Sequence, residues 1–151
     1  MLSHEFPILE HDPAPEAVLE PARIWRRRDM PERVVLCFFQ EVLRTVGEGT
    51  RSAGHLTSEV GRFPIHVIDV KGEPVAVAHP GVGAPYAAAV LEELIAFGGR
   101  KFIAVGSAGG LVPEMTAGHV VVPTHAIRDE GTSYHYLPPA REVAQGPAPI
   151  Q

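Results

Sequence analysis

The chain of 151 residues has a single cysteine, Cys37, and no basic cluster other than Arg26, Arg27 and Arg28. One cysteine excludes an intrachain disulfide and fits a reducing compartment; set between Leu36 and Phe38, its thiol reads as a buried, inert group. A net charge of -5, with no arginine- or lysine-rich face, leaves nothing to neutralise a row of phosphates, which argues against nucleic acid as a partner. The first ten residues carry Glu5 and Glu10 and no basic stretch before an apolar run, so they do not have the form of a secretory signal. The expectation is a cytoplasmic protein. Residues 74–91 hold no charged side chain, but Pro80, Gly81, Gly83 and Pro85 interrupt them, and a lipid-exposed helix would leave backbone groups unpaired there. A membrane partner is therefore not expected. The eight histidines form no His-x-x-x-His or Cys/His pair at ligand spacing, so no metal site is expected either. No internal repeat or heptad is visible.

What the chain does have is glycine and proline, fifteen of each, about a fifth of the residues against a usual 12% or so. Nine of the prolines lie outside residues 32–137, so both ends read as irregular and the middle as folded. Residues 1–31 are expected to be an irregular arm, residues 32–138 an α/β domain, and residues 139–151 an irregular tail. Within the middle, Val34 to Phe39 reads equally as a buried strand or as the first turns of a helix running to Gly47. Ile65, Val67, Ile68 and Val70, then Val75, Val77 and Ala78, flank Lys71-Gly72-Glu73-Pro74 as a hairpin does. Ala87, Val90, Leu91, Leu94, Ile95 and Phe97 follow with helical spacing, ended by Gly98-Gly99. Short β-rich runs follow at Phe102 to Val105 and at Val120 to Val122. Strand, helix and strand around glycine loops predict an α/β domain whose sheet is at least partly parallel. No covering helix follows the last run, so a C-terminal part of the domain is expected to be missing.

Two glycine loops follow strands: Pro80-Gly81-Val82-Gly83-Ala84-Pro85, and Gly106-Ser107-Ala108-Gly109-Gly110-Leu111. In open α/β sheets ligands bind at the carboxyl ends of strands, where backbone N–H groups can point at an anion. Neither loop spells a Walker motif or Gly-x-Gly-x-x-Gly, and tight turns would use the same glycines. Together with Leu91-Glu92-Glu93-Leu94, Ala117-Gly118-His119-Val120-Val121-Val122 and Arg128-Asp129-Glu130-Gly131-Thr132-Ser133, the loops resemble the nucleoside phosphorylase family of the uridine phosphorylase type. The resemblance covers about residues 34–138, the N-terminal part of that family's domain.

It implies a three-layer α/β fold with a mixed sheet, a homo-oligomer, and phosphorolysis of a pyrimidine nucleoside to free base and ribose 1-phosphate. Nucleoside and phosphate would be the small-molecule partners, with phosphate as co-substrate and no cofactor. It further implies phosphate contacts from Ser107, Gly106 and Arg33, and a nucleoside lining from Ala108, Gly109, Gly81 and Gly83; no catalytic residue is assigned. Where the family carries an arginine three positions before the loop hydroxyl, this chain has Ala104, and its Gly-Asp-Pro-x-Arg loop is reduced to Pro31-Glu32-Arg33 after Asp29-Met30. The family's Glu-Met-Glu ribose segment has no counterpart after Pro138. Ser-Ala-Gly-Gly without the arginine is also similar to nucleosidases, which use water, so two alternatives stay open: a hydrolase of the same fold, and a silent chain that binds nucleoside or associates with a full-length paralogue. Arg128-Asp129-Glu130 reads either as a pair steadying a pocket floor or as a solvated cluster. Tyr134, His135 and Tyr136 read as a subunit contact.

Overall fold

The computed structural model describes residues 4–146, which fall into two compact units, one from Glu16 to Ser107 and the other from the stretches through Pro15 and from Ala108 onward. In the first unit the elements are α1 (Pro21–Ile24), β1 (Arg33–Cys37), α2 (Gln40–Gly47), β2 (Arg51–Ser58), β3 (Gly61–Val70), β4 (Glu73–Ala78), α3 (Ala84–Phe97) and β5 (Lys101–Val105). They build a five-stranded mixed sheet in the order β2-β3-β4-β1-β5. Strand β1 runs parallel to both β4 and β5, while β2, β3 and β4 are antiparallel neighbours.

The ambiguous run from Val34 to Phe39 divides: strand through Cys37, helix from Gln40. Alternation then sends its side chains to opposite faces. Val34 and Leu36, with Ala76 and Ala78 of β4, bury against Val90, Leu94 and Phe97 of α3. Cys37 and Val77 bury on the other face, with Leu43 of α2. A strand covered on both faces reads as an unbroken apolar run, which is why period alone could not place it. The small Ala76 and Ala78, both fully buried, let α3 lie close to the sheet. Helices on both faces give the three layers that the sequence resemblance implies.

The hairpin expected around Lys71-Gly72-Glu73-Pro74 is present with a shorter turn: Lys71 and Gly72 alone, both at positive φ (56° and 84°), join β3 to β4, and Glu73 and Pro74 already belong to β4. Helix α3 ends where expected: the amides of Gly98 and Gly99 donate back to the carbonyls of Ile95 and Leu94. The run Val120 to Val122 is a correction. It is irregular and exposed, with no ladder partner among the described residues, and β-branched side chains do not hold a strand without one. Strand β2 escaped prediction because a single residue of it, Leu56, is buried.

The chain before β1 is tied to the end of α3. Trp25 meets the Phe97 ring edge-on at 6.1 Å, and the Arg28 guanidinium lies 3.8 Å over its face. Arg28 also donates from its backbone to Phe97 O and from its side chain to His55 O, both at 3.0 Å, so one of the three clustered arginines is used inside the fold.

In the second unit β6 (His125–Ile127) pairs antiparallel with β7 (Glu142–Ala144), with a 3-10 turn at Thr132–His135 between them. Arg128 organises this segment: it is 5% exposed and donates to Ser133 Oγ and O and to the carbonyls of Leu137 and Pro138. Tyr134 packs under the same guanidinium and donates to Arg128 O, so its ring is engaged within this segment. Glu130 accepts from the Ser133 hydroxyl and amide, which holds its carboxyl below the usual range. Arg128 and Glu130 thus brace the loop from within and are more than a solvated cluster.

Phe97→Ala should cost about 3 to 5 kcal/mol, because it opens a cavity and removes the ring that Trp25 and Arg28 cover. Urea unfolding would show the loss, accompanied by faster hydrogen exchange at the Arg28 amide. Glu93 on α3 gives a second test: burial pushes its carboxyl up, and the Arg28 charge offsets this only in part. A raised folded-state pKa means that the stabilising contribution is full below the unfolded value and is lost as pH rises through the folded one. Glu93→Gln should therefore raise the melting temperature at pH 7, and the gain should vanish well below the unperturbed value of about 4.3.

Candidate functional site

Strands β4, β1 and β5 lie side by side and parallel, so their carboxyl ends open on one edge of the first unit. After β1 the chain turns into α2 on one face, and after β4 into α3 on the other. Neighbouring strands whose connections leave to opposite faces create a crevice between them, the usual ligand position in such sheets. Around it stand Phe38 and Phe39 after β1, residues 79–83 after β4, and Gly106 and Ser107 after β5. Phe38 lies beneath Gly106: a Cβ there would stand 3.4 Å from its ring.

The structure thus brings Gly81, Gly83, Gly106 and Ser107 to the same end of the sheet, with Ser107 exposed. Ala108 and Gly109 follow Ser107 in sequence and begin the second unit; both are exposed. Arg33 is not with them. It is the first residue of β1, paired with Lys101, and its guanidinium lies 2.6 Å from Glu73. Four residues of strand, roughly 13 Å, separate it from the carboxyl end. The crevice residues named above include no arginine or lysine.

The two loop glycines differ in their reasons. Gly81 sits at φ 80°, and a Cβ on it would enter the ring of Tyr86, whose hydroxyl lies 2.9 Å from Ser58 Oγ. Its amide donates to Nδ1 of His79 at 2.9 Å, so that N–H is already spent within the loop. Gly83 sits at φ 91° with open space around the missing side chain. It caps the start of α3, and the first-turn amides of any helix lack partners inside it, leaving an electropositive end beside the crevice.

Sequence reasoning passed over His79. Its ring meets Phe38 edge-on at 6.3 Å and stacks on Phe63 at 6.4 Å. It borders a cleft of about 330 Å³ beside α2, to which Leu43, Arg44, Phe63 and His66 also contribute. No spacing rule connects Phe38, Phe63 and His79. The one sequence signal was a histidine opening a glycine loop.

Comparison with known proteins now gives the class. The model of the phosphorylase superfamily matches residues 32–150, and the chain belongs to that superfamily. Over 65 residues it is 51% identical to a uridine phosphorylase of Treponema pallidum, a stretch covering 43% of this chain and 25% of that protein. A uridine phosphorylase of Thermococcus kodakarensis is 40% identical over 75 residues, covering 50% and 27%. A guanosine phosphorylase of Halorubrum lacusprofundi is 38% identical over 65 residues, covering 43% and 27%. The matched stretch is thus about a quarter of the length of each of these relatives. No helix among the described residues is long and apolar enough to cross a membrane.

Gly81→Ala should destabilise the fold by about 2 to 4 kcal/mol, combining a left-handed backbone with overpacking against Tyr86. Gly83→Ala should cost about 1 kcal/mol, the backbone effect alone. Paired urea titrations check the difference; equal losses would show that Tyr86 sets no constraint at Gly81.

Proposed function

We propose that the chain takes part in phosphorolysis of a pyrimidine nucleoside, with uridine as reference substrate, and binds phosphate at the carboxyl ends of β4, β1 and β5. A phosphate oxygen would form the new bond to C1′ as the C1′–N bond breaks, and the base would leave with the electron pair and take up a proton. The sugar passes through an oxocarbenium-like state, so holding an anion beneath it supplies much of the catalysis. The Ser107 hydroxyl and the Gly106 amide would donate to phosphate, with the start of α3 adding its positive end. Phosphate is then the co-substrate, no cofactor takes part, and the activity is a pentosyl transfer carried out in the cytoplasm by a homo-oligomer. What supports the reading best is that Gly81, Gly83, Gly106 and Ser107 follow the carboxyl ends of neighbouring parallel strands at one topological switch point, in a chain of this superfamily.

The crevice draws on no guanidinium, so the affinity for phosphate should be millimolar at best, about 4 kcal/mol. Ala104 is exposed on β5, in register with Leu36, and stands two residues, about 7 Å, before Gly106. An arginine stem placed there spans that distance. In titration calorimetry Ala104→Arg should tighten inorganic phosphate ten- to a hundredfold, the strength of a charge-assisted hydrogen bond, and Ser107→Ala should weaken it about tenfold. Absence of saturable phosphate binding in both the unmutated protein and the arginine variant would overturn the reading.

A further inference from the structure

One residue of the crevice can become a cation. His79 opens the loop after β4 and is half-buried, with Phe38 against its edge and Phe63 against its face. Phe38 also lies beneath Gly106, so the imidazole and the loop after β5 adjoin the same ring. The Gly81 amide donates to Nδ1 of His79 at 2.9 Å, and a ring nitrogen that accepts carries no hydrogen, so this contact requires the neutral imidazole. Histidine is the side chain that ordinarily gains its charge between about pH 5 and 8. On protonation Nδ1 becomes a donor, and two N–H groups then face each other. Gly81 is buried, and a buried N–H that loses its acceptor costs the full loss of its hydration unless another acceptor arrives. An anion oxygen that accepts from both N–H groups removes that cost and meets the new positive charge.

The surrounding groups leave this role to His79. On α2 and at its end, Arg44 and Glu48 border the adjoining cleft with opposite charges, and His66 of β3 has its Nδ1 3.4 Å from the Thr50 hydroxyl. Cys37 at the end of β1 is buried with its thiol 3.8 Å from Phe39 O, and Tyr86 of α3, under Gly81, keeps its hydroxyl 2.9 Å from Ser58 Oγ. Residues 80–83, Phe38, Phe39, Gly106 and Ser107 add no ionisable side chain. Resting on the phosphorolysis reading above, we propose that His79 couples a proton to phosphate: the neutral ring occupies the Gly81 amide, and the anion binds together with the imidazolium, which supplies the charge that no arginine supplies here. Such coupling runs both ways, so lower pH tightens the anion and the anion draws a proton onto His79. His79 is then a binding residue with no part in breaking the C1′–N bond.

The experiment is a titration of sodium sulfate, a dianion whose charge is constant across the pH range used, into the isotope-labelled full chain at fixed ionic strength, followed by NMR. At pH 7 sulfate should move the ring nitrogens of His79 towards the imidazolium pattern in a saturable way, with the Gly81 amide shifting alongside and His66 unmoved. Sulfate affinity should be at least about fivefold higher at about pH 6.5 than at about pH 8. Inorganic phosphate should shift the same signals. His79→Gln, whose carbonyl oxygen can accept the Gly81 amide but which gains no proton, should melt at a similar temperature and bind sulfate equally weakly at both pH values. Saturable shifts at Gly106 and Ser107 with the His79 ring still neutral would overturn the proton coupling while leaving the phosphorolysis reading in place. An unchanged pH dependence in His79→Gln would do the same. No saturable shift with sulfate or phosphate at either pH would overturn both.

Discussion

Strand β1 is hydrogen-bonded on both sides, to β4 and to β5, and its side chains are covered on both faces, by α3 and by α2. Parallel pairing requires long connections that return the chain to the same end of the sheet, and here those connections leave to opposite faces. Both consequences matter for function. The burial of Val34, Leu36 and Cys37 holds the sheet together, and the divergence of α2 and α3 opens a crevice at the end of the sheet that also carries Gly83, Gly106 and Ser107. The apolar pairing that makes the core therefore also positions the site, and a substitution that shifts β1 would disturb both together.

The crevice is aromatic where an anion site would be expected to be cationic. Phe38 and Phe39 occupy the carboxyl end of β1, and the nearby imidazole of His79 has one nitrogen committed to the loop. Arg33 and Lys101 begin their strands at the other end of the sheet. The field available to a phosphate is then that of backbone amides, a hydroxyl and a helix start, and such groups hold an anion less tightly than a guanidinium does.

Local signals were legible in the sequence and long-range ones were not. Lys71-Gly72 between β-branched runs, and Gly98-Gly99 after an apolar helix pattern, each declare themselves within a few residues, and the structure has both. Val34 to Phe39 could not be resolved because a strand covered on two faces and a buried helix leave the same apolar run, and only the neighbours β4 and β5 decide between them. Val120 to Val122 misled for the converse reason, since its β-branched residues have no ladder partner among the described residues. Arg33 was placed near a phosphate loop by motif likeness, yet a motif says nothing of which end of a strand a residue occupies. His79, Phe38 and Phe63 are far apart in the chain and meet only through the pairing of β3, β4 and β1.

Phosphate binding is proposed at the carboxyl ends of β4, β1 and β5. Amide chemical-shift mapping of the full chain with inorganic phosphate tests it most directly. The account predicts saturable shifts at Gly83, Gly106 and Ser107, with Arg33 and Lys101 unmoved. Shifts centred on Arg33, Glu73 and Lys101, at the amino ends of the same strands, would contradict it.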